Sequence, residues 1–138
     1  IIEVTRDRYE DGERYAPAFA VTLVKGLAEA LRYLHSKRVA HGDVYGHNTL
    51  VLDSTGAAKL GDFGASFYYG ELAPSAQKLI ERVEVRAFGV LCAEIATRVV
   101  SAAATRDRLL AVADDCLRGD AAARPSFERL VAALGNVN

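Results

Sequence analysis

Three oxygen-bearing side chains stand close together in residues 39–64 (VAHGDVYGHNTLVLDSTGAAKLGDFG). Asp43 and Asp62 are 19 residues apart, and Asn48 lies between them, five residues after the first aspartate. The residues from Asn48 to Asp62 form two short apolar runs around a turn, the pattern of a hairpin that brings its two ends together. Two carboxylates and an amide so gathered suit one chemistry: holding Mg²⁺ and a nucleotide phosphate while a base receives a proton. Mg²⁺ is a hard cation, bound by one or two carboxylates together with substrate phosphates. Asp43, Gly46, Asn48, Asp62 and Gly64 are also ordinary turn formers, so each of them taken singly can serve to punctuate a loop.

The elements that must position these residues are legible on either side. Pro17 opens a helix, where its missing N–H costs nothing. Phe19, Leu23, Leu27, Ala30, Leu31 and Leu34 recur at helical spacing to about residue 36. His35, near the C-terminal end, reads as a cap or surface residue, since cations favour that end. Residues 49–52 read as a strand, 53–56 as a turn and 58–60 as the partner strand. Residues 84–96 form a second strong helix, with Phe88, Leu91, Cys92 and Ile95 on one face. A third runs over 105–117 and ends before Gly119. Arg124-Pro125-Ser126-Phe127 opens the last, with Leu130, Val131 and Leu134 inward, and residues 135–138 read as a frayed end. Ile1-Ile2 reads as a strand fragment, and the charged residues after it as a loop or short helix. The expected fold is therefore mainly α with a small β-hairpin.

Composition narrows the classes. The chain has 138 residues, 51% of them hydrophobic, enough for one domain with a real core. Seventeen basic and 18 acidic residues leave a net charge of −1. Neither nucleic acid nor an anionic membrane is expected as a partner. No run approaches the ~18 apolar residues of a membrane span, and no signal peptide is visible. Cys92 and Cys116 lack metal-site spacing and fall in apolar helical patterns, so they read as free buried thiols and point to the cytoplasm.

The stretch HGDVYGHN followed by DFG resembles the catalytic core of the eukaryotic-type protein kinases, whose signature is H-R-D-L-x-x-x-N and then D-F-G. The ordered pair at this spacing is far more specific than either piece. The resemblance implies Asp43 as catalytic base, Asn48 and Asp62 as Mg²⁺ ligands, and Gly64 with them at the ATP site. It implies His41 and Phe63 packed beneath. It extends over nearly the whole chain, but only as the larger lobe. Residues 1–15 would lie near the hinge, 16–37 would support the catalytic loop, 39–64 would carry the loop and hairpin, 65–83 would form a short activation segment and 84–138 a helical subdomain. A glycine-rich loop, a strand lysine in a V-A-I-K context and its glutamate partner are not present. The small lobe is thus expected outside this chain, and the isolated chain is expected to be inactive without it.

Several positions depart from the family pattern. Gly42 replaces an arginine that contacts phosphorylated activation segments. Tyr45 replaces the lysine of Ser/Thr-specific members, and losing such a donor typically lowers the rate by roughly 10²–10³. Ala73-Pro74-Ser75 stands for A-P-E, so Arg124, the usual partner of that glutamate, needs another acceptor, Glu71 or Glu81. Glu84 falls where the family has an aspartate that accepts hydrogen bonds from the catalytic-loop backbone. Tyr68 and Tyr69 are either modification sites or packed against the body. The expected function is ATP- and Mg-dependent phosphate transfer to a protein hydroxyl. The alternatives are a pseudokinase or protein-interaction module, and a small-molecule phosphotransferase, in which H-G-D followed by Asn also occurs.

Overall fold

The computed structural model describes residues 12–138 and the backbone of residues 2–4. The expectation of a loop or short helix over residues 5–11 lies outside the described residues. Among the described residues the main elements are four α-helices and two small antiparallel sheets: β1 (Ile2–Val4), α1 (Pro17–Ser36), β2 (Val39–Ala40), β3 (Thr49–Val51), β4 (Ala58–Leu60), β5 (Phe67–Tyr68), α2 (Pro74–Ala96), α3 (Ala103–Cys116) and α4 (Phe127–Leu134). The fold is mainly α with a small sheet, as the sequence pattern implies.

The core forms where α1, α2, α3 and α4 meet. Leu23, Leu27 and Leu31 of α1 face Phe88, Leu91 and Ile95 of α2, Leu109 of α3, and Phe127 and Leu130 of α4, all of them buried. α1 begins at Pro17, after an extended Ala16 that offers no side-chain cap. Its buried stripe runs through Ala20, Leu23, Val24, Leu27, Ala28, Leu31 and His35. His35 therefore continues the core face four residues beyond Leu31 and is neither a surface group nor a cap.

α2 corrects a second expectation. It is one helix of 23 residues starting at Pro74, ten residues before the expected start. Residues 75–83 (SAQKLIERV) contain no glycine or proline and are rich in helix formers, and Pro74 suits the first helical position. Only residues 65–73 are left as the segment between the hairpin and α2. The C-terminal tail is also anchored. Val137 is buried, its carbonyl accepts from Lys25 Nζ at 2.9 Å, and the Asn138 carbonyl accepts from Thr105 Oγ1 at 2.8 Å.

The hairpin is the element that matters for the site. β3 pairs with β4 in the register Thr49↔Leu60, Leu50↔Lys59, Val51↔Ala58, and β1 adds to its other edge with Glu3 opposite Leu50. Asp53 closes the turn by accepting from the Thr55 N–H at 2.8 Å. Gly56 sits at φ +90, and a side chain there would run into the Phe19 carbonyl in the first turn of α1. The hairpin is thus seated directly on the supporting helix.

Candidate functional site

The loop between β2 and β3 carries His41, Asp43 and Asn48, and its shape is set from below. The His41 ring is fully buried. The Asp43 N–H donates to its Nδ1 at 3.2 Å, so the ring proton resides on Nε2, which donates to the Gly61 carbonyl at 2.7 Å. Phe63 closes edge-on against the same ring, with centroids 4.9 Å apart. One imidazole therefore fixes both the residue that carries Asp43 and the residue that precedes Asp62.

Asn48 makes the second tie. Its amide nitrogen donates to the Asp43 carbonyl at 2.7 Å and to Asp43 Oδ2 at 3.0 Å. Its backbone carbonyl accepts from the Gly61 N–H at 2.7 Å. Asn48 and Gly61 thus continue the ladder of β3 and β4 by one step. Asp62 follows at the same end of the hairpin, where the chain turns with φ 51 at Asp62. Aspartate is one of the few residues that tolerates this left-handed conformation. Here its Oδ1 accepts from the Gly64 N–H at 3.1 Å, stabilising the turn. Asp43, Asp62 and Gly64 are exposed, while Asn48 is buried. Strand register alone brings the Asp43–Asn48 pair and Asp62 to one end of the hairpin.

The oxygens left over suit a hard cation. The Asn48 nitrogen is committed to Asp43, which turns its carbonyl oxygen into the available atom. Asp43 and Asp62 each keep one carboxylate oxygen outside the hydrogen bonds just described. Among the described residues, His, Cys, Asp and Glu nowhere gather in threes as a metal cage. A site of two carboxylates and an amide is the type that relies on phosphate oxygens to complete the shell. His47 lies outside this cluster, stacked on Tyr45 with centroids 5.7 Å apart.

α2 supports the loop through Glu84, which is buried. Its Oε1 accepts from the His41 N–H at 3.0 Å, and its Oε2 accepts from the Gly42 N–H at 2.8 Å. His35 Nε2 lies 2.9 Å from the same Oε1. Burial pushes this carboxyl up, but the hydrogen bonds from His35, Gly42 and His41 outweigh it, and its pKa falls below the ordinary value. The sequence reading missed His35. The signal was its place four residues after Leu31 on the buried stripe.

Gly42 shows why the family arginine is absent. It holds φ +84, and a Cβ there would collide with the Ala65 carbonyl. The segment after Asp62 lies directly over this position. That segment is then pinned by Tyr69, which is buried and donates to Glu81 Oε1 at 2.6 Å. Arg38 Nη1 reaches the same oxygen at 3.0 Å, and the Arg38 carbonyl accepts from the Tyr69 N–H at 2.9 Å. Burial, reinforced by Glu81, holds the Tyr69 hydroxyl well above its usual range. Tyr68, its neighbour, is exposed.

Arg124 corrects the remaining expectation. It pairs with neither Glu71 nor Glu81: Nε donates to the Arg118 carbonyl at 2.8 Å and Nη1 to the Arg82 carbonyl at 3.0 Å. Glu81 is already committed to Arg38 and Tyr69. Two free thiols, Cys92 and Cys116, are buried. Burial raises both, the second to about 12. No helix among the described residues is long and apolar enough to cross a membrane.

A helical body presents a carboxylate–amide pair and a second aspartate at one hairpin end. The comparison with known families makes this arrangement specific. The family model described as protein kinase domain matches residues 3–77, and the chain belongs to the protein kinase family. It is 48% identical over 48 residues to a probable myosin light chain kinase of Dictyostelium discoideum, covering 35% of this chain and 10% of that protein. It is 37% identical over 90 residues to Aurora kinase A-B of Xenopus laevis, covering 51% and 21%. To a probable leucine-rich repeat receptor-like protein kinase of Arabidopsis thaliana it is 32% identical over 106 residues, covering 62% and 9%. The chain thus spans between 9% and 21% of the length of these relatives.

Proposed function

We propose that this chain is the larger lobe of a protein kinase and that, joined to a small lobe outside it, it transfers phosphate to a protein hydroxyl. The observation that carries the reading is the double tie of Asn48, whose side chain holds Asp43 while its backbone carbonyl holds the residue before Asp62. Asp43 is exposed, and the oxygen not held by Asn48 is placed to accept the proton of an incoming hydroxyl. The Asn48 carbonyl oxygen and the Asp62 carboxylate are the residues that would hold Mg²⁺, with Gly64 at the edge of the nucleotide site. When bound, Mg-ATP supplies the phosphoryl group and neutralises the charge that develops on it. His41 and Glu84 hold the loop still while this happens. Two buried free thiols suit a reducing compartment such as the cytoplasm.

The test is transfer of labelled phosphate by the longer protein that contains this chain. Asp43→Asn is expected to lower turnover by roughly 10²–10⁴, and Asp62→Asn to abolish it. Unchanged turnover in either variant removes the assignment. A second reading, a pseudokinase that serves as an interaction module, is favoured by Tyr45 in the lysine position and by the compressed segment over residues 65–73. That reading predicts no transfer at all, with partner binding unaffected by Asp62→Asn.

A further inference from the structure

A cavity of about 410 Å³ lies between α3 and α4, with Pro125 of the connecting segment on its wall. Small-molecule sites are usually about 300–1,000 Å³, mostly apolar, with a few convergent polar groups. Val112 of α3 and Leu130 of α4, both buried, line this one. Ala133, one turn beyond Leu130, adds to the apolar lining. None of these residues belongs to the site formed by Asp43, Asn48 and Asp62.

The charged groups are three: Asp115, Arg118 and Arg129. Arg118 Nη2 lies 2.7 Å from Asp115 Oδ1, one turn back along the chain. Arg129, in the first turn of α4, is exposed and has neither an ion pair nor a side-chain hydrogen bond among the described residues. The neighbouring charges are committed elsewhere. Asp120 Oδ1 accepts from the Ala122 N–H, and the Arg124 guanidinium donates to the Arg118 and Arg82 carbonyls. Two arginines against one aspartate leave the lining with a net charge of +1. A guanidinium matches the planar fork of a carboxylate. A phosphate monoester, close to a dianion at neutral pH, would set its second negative charge against Asp115.

We propose that this cavity binds a small organic monocarboxylate with an apolar body. The carboxylate meets Arg129 and Arg118, the body lies on Val112 and Leu130, and Asp115 sets the charge that is accepted. This site is independent of the kinase reading above. Burial of the apolar body supplies most of the affinity, roughly tenfold or more over a carboxylate without one. The half-exposed charge contact adds a few-fold, salt-sensitive preference.

NMR titration of the isotope-labelled chain with phenylbutanoate, its amide, acetate and phenyl phosphate tests this. Phenylbutanoate should shift resonances of α3 and α4 and bind at least about tenfold more tightly than acetate. It should bind a few-fold more tightly than the amide or phenyl phosphate. Three substitutions at exposed positions of the lining separate the contributions. Arg129→Gln should bring the acid down to the affinity of its amide. Ala133→Phe should fill the cavity and abolish binding of both. Asp115→Asn, which removes only a surface ion pair, should erase the discrimination against phenyl phosphate. Equal binding of acid and amide, shifts confined to residues outside α3 and α4, or no shift at millimolar phenylbutanoate overturns the proposal. So does a peptide ending in leucine that binds this cavity more tightly than phenylbutanoate, since a polypeptide end would then be the occupant.

Discussion

Glu84→Gln tests the joint by which α2 holds the loop between β2 and β3. The carboxylate serves three donors: Oε1 faces the His41 N–H and the His35 ring, and Oε2 faces the Gly42 N–H. Glutamine offers one carbonyl oxygen and one NH₂, so in either orientation a donor is set against a backbone donor. A hydrogen bond to a charged group contributes about 1.5–3 kcal/mol, and a buried donor left unsatisfied costs about 1–3 kcal/mol. The two effects together amount to about 3–5 kcal/mol, the range for breaking a buried pair. At a urea dependence of about 1–3 kcal/mol/M the unfolding midpoint should fall by at least about 1 M. Glu84→Asp keeps the charge, loses one methylene, and should cost about 1 kcal/mol. Urea titration followed by circular dichroism at neutral pH distinguishes them. A glutamine variant with the wild-type midpoint would show that the loop does not depend on this carboxylate. The pH dependence follows from the lowered pKa of Glu84. Its contribution is present above the ordinary carboxylate value of 4.5 and is lost as pH falls through the lower folded value. The wild-type and glutamine curves should therefore converge on strong acidification.

Three further outcomes follow. Gly42→Arg, which restores the family residue, should cost about 1–3 kcal/mol, because φ +84 and the Ala65 carbonyl oppose any side chain there; a variant of full thermal stability would contradict the observed packing. Among the described residues, Arg82 Nε and Nη1 are buried without a hydrogen-bond partner. Arg82→Met should accordingly raise stability by about 1–3 kcal/mol, and a lower melting temperature would refute that. Tyr69→Phe should lose about 1–2 kcal/mol with the bond to Glu81, while Tyr68→Phe should be neutral. In the longer protein, both should leave phosphate transfer within a few-fold, and a collapse of transfer would reveal control through these tyrosines.

Local pattern was enough wherever neighbours in sequence make the structure. The helix over 17–36, the strands at 49–51 and 58–60 and the face of Phe88, Leu91, Cys92 and Ile95 follow from periodicity and turn chemistry. Resemblance to a family misled where the local sequence was the better guide. Residues 75–83 look helical residue by residue, and the expectation of an activation segment over 65–83 hid it. The reading of Gly135 to Asn138 as frayed failed for another reason: what anchors the tail is Lys25 and Thr105, remote in sequence.

The chain's order of residues by itself determined which groups are candidates for the proposed chemistry: an aspartate, an asparagine and an aspartate at spacings that a hairpin closes. It also determined the apolar stripes that drive the helices together, because those depend only on residues a few positions apart. Only the tertiary structure decided how the groups are held. Glu84 meets His35, His41 and Gly42 across more than 40 residues of chain, and the Ala65 carbonyl fills the space over Gly42. Burial and hydrogen-bond saturation are properties of the packed whole, and no short window of sequence contains them.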